Sequence, residues 1–189
     1  MPDAASPDTG LPGTRILRSL GPIRQFAYVV ARERLDDEVG QWLDRGVGPW
    51  IFMREVRQQG YVHRGVEVAP VLSLGFANSG DMQIELITTH DDTPSPFSEF
   101  LGARSEGFHH HAWWTDDFDA WTARADGAGW TPLAHGDGGG MARWVYYDVG
   151  GPGLVEVMEL TDATKWMTGH VRDAHVAWDG ATDPVRSLF

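Results

Sequence analysis

The sequence spells one order of secondary-structure elements twice, and a repeated unit must bury its two copies against each other or leave open sheet edges. From Ile23 the run IRQFAYVV alternates and is rich in β-formers, which predicts a strand. LDDEVGQWLDRG follows with Leu35, Val39, Trp42 and Leu43 at helical spacing and Gly46 as a C-cap. GPWIFMREV, VEVAPVLSLGFA and DMQIELITT then read as three strands separated by Gly, Asn and Asp turn chemistry, giving the order βαβββ over residues 22–90. A connecting segment, 91–106, contains TPSPF. Over 107–161 the order returns: FHHHAWWT, the helical DDFDAWTARADGAG, the short TPLAH, then ARWVYYDV and GLVEVMEL. QFAYVV echoes HHAWWT at the first strands, and MQIELITT echoes LVEVMELT at the last. The expected fold is α+β: two βαβββ modules that form a shared, cupped mixed sheet. Residues 1–21, rich in Pro, Gly, Asp and Ser, read as a flexible arm. Residues 162–189 read as a C-terminal extension in which Trp166, Val171, His175 and Trp178 dock a helix on the body.

Charge narrows the partners. The formal net charge is -12 and the one lysine is Lys165, so no contiguous basic face is expected and nucleic acid and anionic membrane are excluded as partners. The absence of cysteine rules out disulfides, thiolate metal sites and a cysteine nucleophile. Any metal must therefore be held by N and O donors. No apolar run has the length of a membrane span, and the start of the sequence has no apolar leader, so cytoplasmic residence is expected.

Period-2 alternation decides which side chains converge. On the first strand Gln25 shares a face with Ile23 and Ala27; on the last strand of that unit Glu85 shares one with Gln83 and Ile87. In the second unit His110 is expected to lie with Phe108, Ala112 and Trp114, and Glu156 with Leu154 and Met158. Each unit thus offers a polar group on its first strand and an acid on its last. A glutamate inside MQIELIT or LVEVMEL is costly to bury unless its charge is matched, and either a cation or a salt bridge to Arg54 or Arg143 would match it. If the units face one another, Gln25, Glu85, His110 and Glu156 meet in one cup. Two carboxylates then balance a divalent ion of the Zn, Mn, Co, Ni or Fe kind.

GFHHHAWWTDDFDAW resembles the GLHH-plus-DDID segment of methylmalonyl-CoA epimerases, and GVGPWIF resembles a segment common in glyoxalase-like proteins. QIELI and LVEVMEL sit where that group, the vicinal oxygen chelate superfamily, carries its acidic ligands. The resemblance covers roughly residues 22 to 160. It implies the glyoxalase/bleomycin-resistance/dioxygenase-like fold, with His110, the second histidine of its run, as a ligand beside Glu85 and Glu156. Gln25 departs from the epimerases, which usually carry histidine there, and makes the set similar to that of glyoxalase I enzymes. Glu159, three residues beyond Glu156, would exchange roles with it under a one-residue register shift. Glu156 is preferred because Val155 and Val157 then form the buried side.

The resemblance implies a metal-dependent lyase or isomerase that moves a proton at the carbon beside a carbonyl, with Glu156 as base and Glu85 as second candidate. Trp50, Phe52, Trp114, Trp144 and Tyr146 are candidates for an apolar wall, which suits a small-molecule carbonyl substrate of apolar or aromatic character. An extradiol-type dioxygenase and a metal-free small-molecule binding or resistance protein are the alternatives, and a homodimer is expected.

Overall fold

The computed structural model describes residues 20–104 and 106–188. Its first unit runs β1 (Gln25–Val29), a single 3-10 turn, α1 (Leu35–Asp44), β2 (Trp50–Arg57), β3 (Tyr61–His63), β4 (Val66–Val68), β5 (Val71–Ser79) and β6 (Met82–Thr89). Helix α2 (Pro96–Arg104) connects it to β7 (Gly107–Thr115), α3 (Phe118–Gly127), β8 (Pro132–Gly136), β9 (Trp144–Tyr147) and β10 (Leu154–Glu159). Helix α4 (Asp162–Ala177) and β11 (Val185–Ser187) follow. The arm expected over 1–21 lies outside the described residues except at its end, where Leu20 packs beside Trp113 and the Trp113 indole donates to the Gly21 carbonyl at 3.1 Å.

The two units meet along β1 and β7, which pair antiparallel. Outward from that seam the strand order is β1, β6, β5, β2 on one side and β7, β10, β9, β8 on the other, with β1–β6 and β7–β10 both parallel. The duplicated order read from the sequence is thus a duplicated topology about a local two-fold. The hairpin β3–β4 belongs to the first unit in sequence but pairs with β8 at the far side of the second. A flat sheet would set β2 and β3 about 38 Å apart, eight inter-strand spacings of ~4.8 Å. Only residues 58–60 join them, a reach of at most about 14 Å. The sheet must therefore curl until its two wings approach, and the concave face becomes a cavity.

Alternation along each strand divides the apolar residues. Ile84, Leu86, Trp50 and Phe52 point to the convex side and bury Leu35 and Val39 of α1. Val155, Val157 and Tyr147 do the same under Trp121 and Ala125 of α3. Trp50 and Phe52, expected at the cavity, are core residues for this reason, since their neighbours Ile51 and Met53 take the other side of β2. Trp114 is half-buried and away from the cavity, whereas Trp144 and Tyr146 do line it.

Three elements were not expected. Strand β3 lay hidden in the polar stretch before Gly65, and the single strand expected over VEVAPVLSLGFA breaks at Ala69 and Pro70 into β4, which forms a hairpin with β3, and β5. Helix α2 carries a start signal in SPFS: Pro96 opens it, and Ser95 and Ser98 exchange hydrogen bonds, Ser98 N to Ser95 Oγ at 3.1 Å and Ser95 N to Ser98 Oγ at 2.9 Å. Strand β11 pairs parallel with β2. Helix α4 packs on β5 through Val171 and Ala174; Trp166, expected to dock it, is exposed and stacks on His170.

Candidate metal centre

The register across four strands brings the two half-sites together. Gln25 pairs with Ala112, and Ala27 pairs with both Glu85 and His110; Glu156 pairs with Ala112. Position by position, the local two-fold relates Gln25 to His110, Ala27 to Ala112, and Glu85 to Glu156. The two alanines at the seam are small enough to let four longer side chains lean over them. Gln25, Glu85 and Glu156 all line the cavity, and His110 lies buried beneath it.

One expectation about β7 is overturned. His110 was expected to share a face with Phe108, but the β1–β7 register shifts so that Ala27 opposes His110 while Tyr28 opposes Phe108. His109 is the extra residue, a bulge of the kind that re-aims side chains. Phe108 therefore faces outward against Phe26, Tyr28 and His111, while His109 and His110 both turn inward. Gly153 accommodates the bulge: a Cβ there would lie 2.9 Å from the His109 carbonyl oxygen, and its φ of +130° suits glycine.

Glu85, His110 and Glu156 offer ligand atoms that all lie within 4.8 Å of one another. His110 Nε2 is 2.8 Å from Glu156 Oε2 and 3.5 Å from Glu85 Oε2, with all three residues buried. Neither contact has hydrogen-bond geometry, and Nε2 is an unsatisfied buried atom. The other ring nitrogen is engaged: His110 Nδ1 lies 2.9 Å from His109 Nδ1. His109, in turn, bonds to the Pro96 carbonyl at the start of α2. A neutral imidazole that donates to a carbonyl has only an acceptor left on its other nitrogen, so His109 accepts at Nδ1 and His110 must donate. That fixes one His110 proton on Nδ1 and leaves Nε2, between two carboxylates, as the position that takes up either a second proton or a metal ion. A ligating histidine oriented through its second nitrogen is the arrangement a metal site needs.

The electrostatics agree. Burial depresses His109 from 6.5 to about 3, with the His110 charge adding, so it stays neutral and able to accept. Burial also opposes charge on His110, but the Glu156 and Glu85 carboxylates outweigh it and lift that imidazole to about 9. Burial raises Glu85 above its ordinary value, against His110, which lowers it, and with Glu156, which raises it. Both directions have one meaning: without a cation His110 and Glu85 bind protons more tightly than they do in water. A divalent ion would replace those protons. Two carboxylate oxygens and an imidazole nitrogen suit a borderline ion such as Zn, Mn, Co, Ni or Fe, and differ from the two-histidine, one-carboxylate set of iron oxygenases.

Gln25 donates from Nε2 to Gln83 Oε1 at 2.8 Å, which leaves its own carbonyl oxygen as acceptor. Gln83, beside Glu85 on the same face of β6, was not singled out from the sequence although its alternation with Glu85 and Ile87 marks it. Glu159 stands apart: Arg143 holds it at 2.6 Å and also binds Asp119, so the arginine offered as a bland partner for Glu156 serves Glu159 instead. Arg143 keeps the Glu159 carboxyl below its ordinary range.

No curated protein matches this chain in sequence. Among solved structures, a hypothetical protein from Bacillus halodurans superposes with a TM-score of 0.55 at 19% identity, covering 75% of this chain and 95% of its own. Methylmalonyl-CoA epimerase from Mycobacterium tuberculosis superposes with a TM-score of 0.54 at 21% identity, covering 76% and 91%. These likenesses are of fold. The family description that matches residues 24–147 spans both first strands, the convex helices and all but the last strand of the second unit. The duplicated topology and that match together assign the chain: it belongs to the glyoxalase/bleomycin resistance protein/dioxygenase superfamily.

Proposed function

We propose that this protein is a metal-dependent lyase or isomerase that moves a proton at a carbon next to a carbonyl. Glu85, His110 and Glu156 would hold the ion, with Gln25 as fourth ligand through its carbonyl oxygen. The observation that carries the reading is the buried His110 Nε2, left without a hydrogen bond between two buried carboxylates. A purely structural cluster would be expected to satisfy that atom. A divalent ion bound there supplies Lewis-acid stabilisation of negative charge that develops on a substrate oxygen.

The chain's own groups do the rest. Glu156 takes the proton, as the carboxylate nearer to His110 and the one that the Tyr146 hydroxyl hydrogen-bonds. Burial raises Tyr146 well above its ordinary value, with Glu156 and Glu85 adding, so its hydroxyl remains a donor throughout. Glu85, on the opposite side of the local two-fold, is the second candidate for proton transfer. The curled sheet and α4, whose Thr164 and Met167 line the cavity, restrict the approach of bulk water to the reacting carbon.

The test is elemental analysis of protein purified without chelators, for the native chain and for Glu85→Ala and His110→Ala. It is combined with deuterium uptake from D2O at the carbon beside a carbonyl in a substrate screen. Stoichiometric metal lost in both variants, and exchange lost on chelation, support the reading. Metal that persists in both variants, or exchange indifferent to a chelator, defeats it.

A further inference from the structure

The floor of the cavity is polar and its walls are mainly apolar. The cavity holds about 260 Å³, just below the ~300–1,000 Å³ usual for drug-sized ligands, so the occupant is small. Four of the six methionines, Met53, Met141, Met158 and Met167, form its walls with Phe76 and Trp144. Thioethers are polarizable and adapt to irregular apolar shapes. Charge is nearly absent from these walls. Among the described lining residues the one cation is Arg57, whose exposed guanidinium donates to the Ala69 carbonyl at 2.9 Å and lies 4.0 Å from Asp91. Lining carboxylates sit only at the metal-centre floor. An anionic group entering the cavity would meet apolar walls and then two glutamates.

Two donors beside that floor lack partners. The Tyr61 hydroxyl is buried and unbonded, as is the Gln83 amide nitrogen, and both side chains line the cavity. Tyr61 is held by its ring, which packs 4.7 Å from that of Trp144, and by β3, the hairpin strand that crosses to the second unit. A buried donor without an acceptor has lost water and gained no partner, so a ligand oxygen that accepts from it recovers binding.

We infer that the cavity takes an uncharged, mainly apolar carbonyl compound, and that Tyr61 donates a hydrogen bond to an oxygen of that compound. Tyr61 is thereby a substrate-binding and specificity-determining residue, and acyl-CoA thioesters are disfavoured because, among the described lining residues, only Arg57, already engaged by Ala69 and Asp91, could meet their phosphates. This assignment rests on the proton-transfer reading for what happens to the substrate, but not for whether it binds.

Equilibrium dialysis tests it with four named probes, on the protein as purified and again after chelation. The probes are 1-phenylpropane-1,2-dione, phenylglyoxylate as its charged counterpart, n-propylbenzene as the oxygen-free skeleton, and methylmalonyl-CoA. Metal content is measured on the same samples. After chelation the dione should bind at least tenfold more tightly than phenylglyoxylate or the thioester. Tyr61→Phe should weaken the dione roughly three- to tenfold, the worth of one neutral hydrogen bond, and leave propylbenzene unchanged. Unchanged propylbenzene also certifies that the variant retains its cavity.

The inference is overturned if methylmalonyl-CoA or phenylglyoxylate binds as well as the dione, if Tyr61→Phe leaves the dione unaffected, or if none of the probes binds. Dione binding by a protein that never holds metal would sink the metal mechanism alone. Metal-replete protein that refuses the dione would sink this assignment alone.

Discussion

Replacing Glu85 by glutamine separates a metal ligand from a structural ion pair, because the two roles predict opposite changes in stability. In the metal-free protein Glu85 is drawn to His110 at 3.5 Å and repelled by Glu156 within 4.8 Å. At an effective dielectric of about 20 these amount to about 5 kcal/mol of attraction and at least about 3.5 kcal/mol of repulsion. They nearly cancel, which leaves the cost of stripping water from a buried carboxylate, several kcal/mol for an ion in a protein interior. The neutral isostere avoids that cost and keeps the shape. Metal-free Glu85→Gln should therefore melt at the same temperature as the native protein or a few degrees higher. With metal the order reverses. Free metal at a hundred times its dissociation constant stabilises the native chain by about 2.7 kcal/mol. For a domain of this size that corresponds to roughly 5–10 °C. If the variant binds a hundredfold more weakly, the same metal adds only about 0.4 kcal/mol. Calorimetric melts of both proteins, with chelator and along a Zn or Mn titration, should cross. A variant that melts several degrees lower in chelator, while metal moves neither protein, would refute the argument and make Glu85 a partner of a protonated His110.

Glu156→Gln should lose stoichiometric metal whereas Glu159→Gln retains it, since Glu159 is occupied by Arg143; elemental analysis that finds the reverse would mean that β10 is read one face wrong. His109→Phe should lower Zn affinity about 10–100-fold in competition with a chromogenic chelator, as loss of an orienting partner does, while His109→Gln, which retains an acceptor, recovers part of it. Equal affinity in His109→Phe would dispose of the tautomer argument. In metal-free protein His110 is raised to about 9 from 6.5, so the stability it contributes is fully present below about pH 6.5 and is lost as pH rises through about 9. Metal should flatten that slope and release protons on binding near pH 7, read by titration calorimetry in buffers of different ionisation enthalpy; melts equally pH-sensitive with and without metal would contradict it.

Much of this was legible because it depends on periodicity. A polar residue that interrupts an apolar strand announces its face, and doing so at matching places in two repeats singled out Gln25, Glu85 and Glu156 as candidates to converge, whereas the choice of His110 within its run of three came from the family resemblance. What stayed hidden depends on a single inserted residue or on long-range pairing. The bulge at His109 reverses the face of Phe108 and turns a second histidine inward, and no composition or spacing distinguishes a bulged β7 from a regular one. Tyr61 was invisible for another reason: β3 is three residues long and is a strand because β8, some seventy positions later, pairs with it. Helix α2, by contrast, carried its capping serines and opening proline in plain view, and the proline-rich look of TPSPF concealed them.

The outermost members of the sheet, β11 and β4, are three residues each, and Val66 and Glu67 of β4 stand open to solvent. So brief an exposed ladder offers little for another chain to template upon, which is how β-proteins resist filament growth. Edge-to-edge association through β4 and β11 is therefore disfavoured, and crowding the solution should drive no stacking of one sheet onto the next through them.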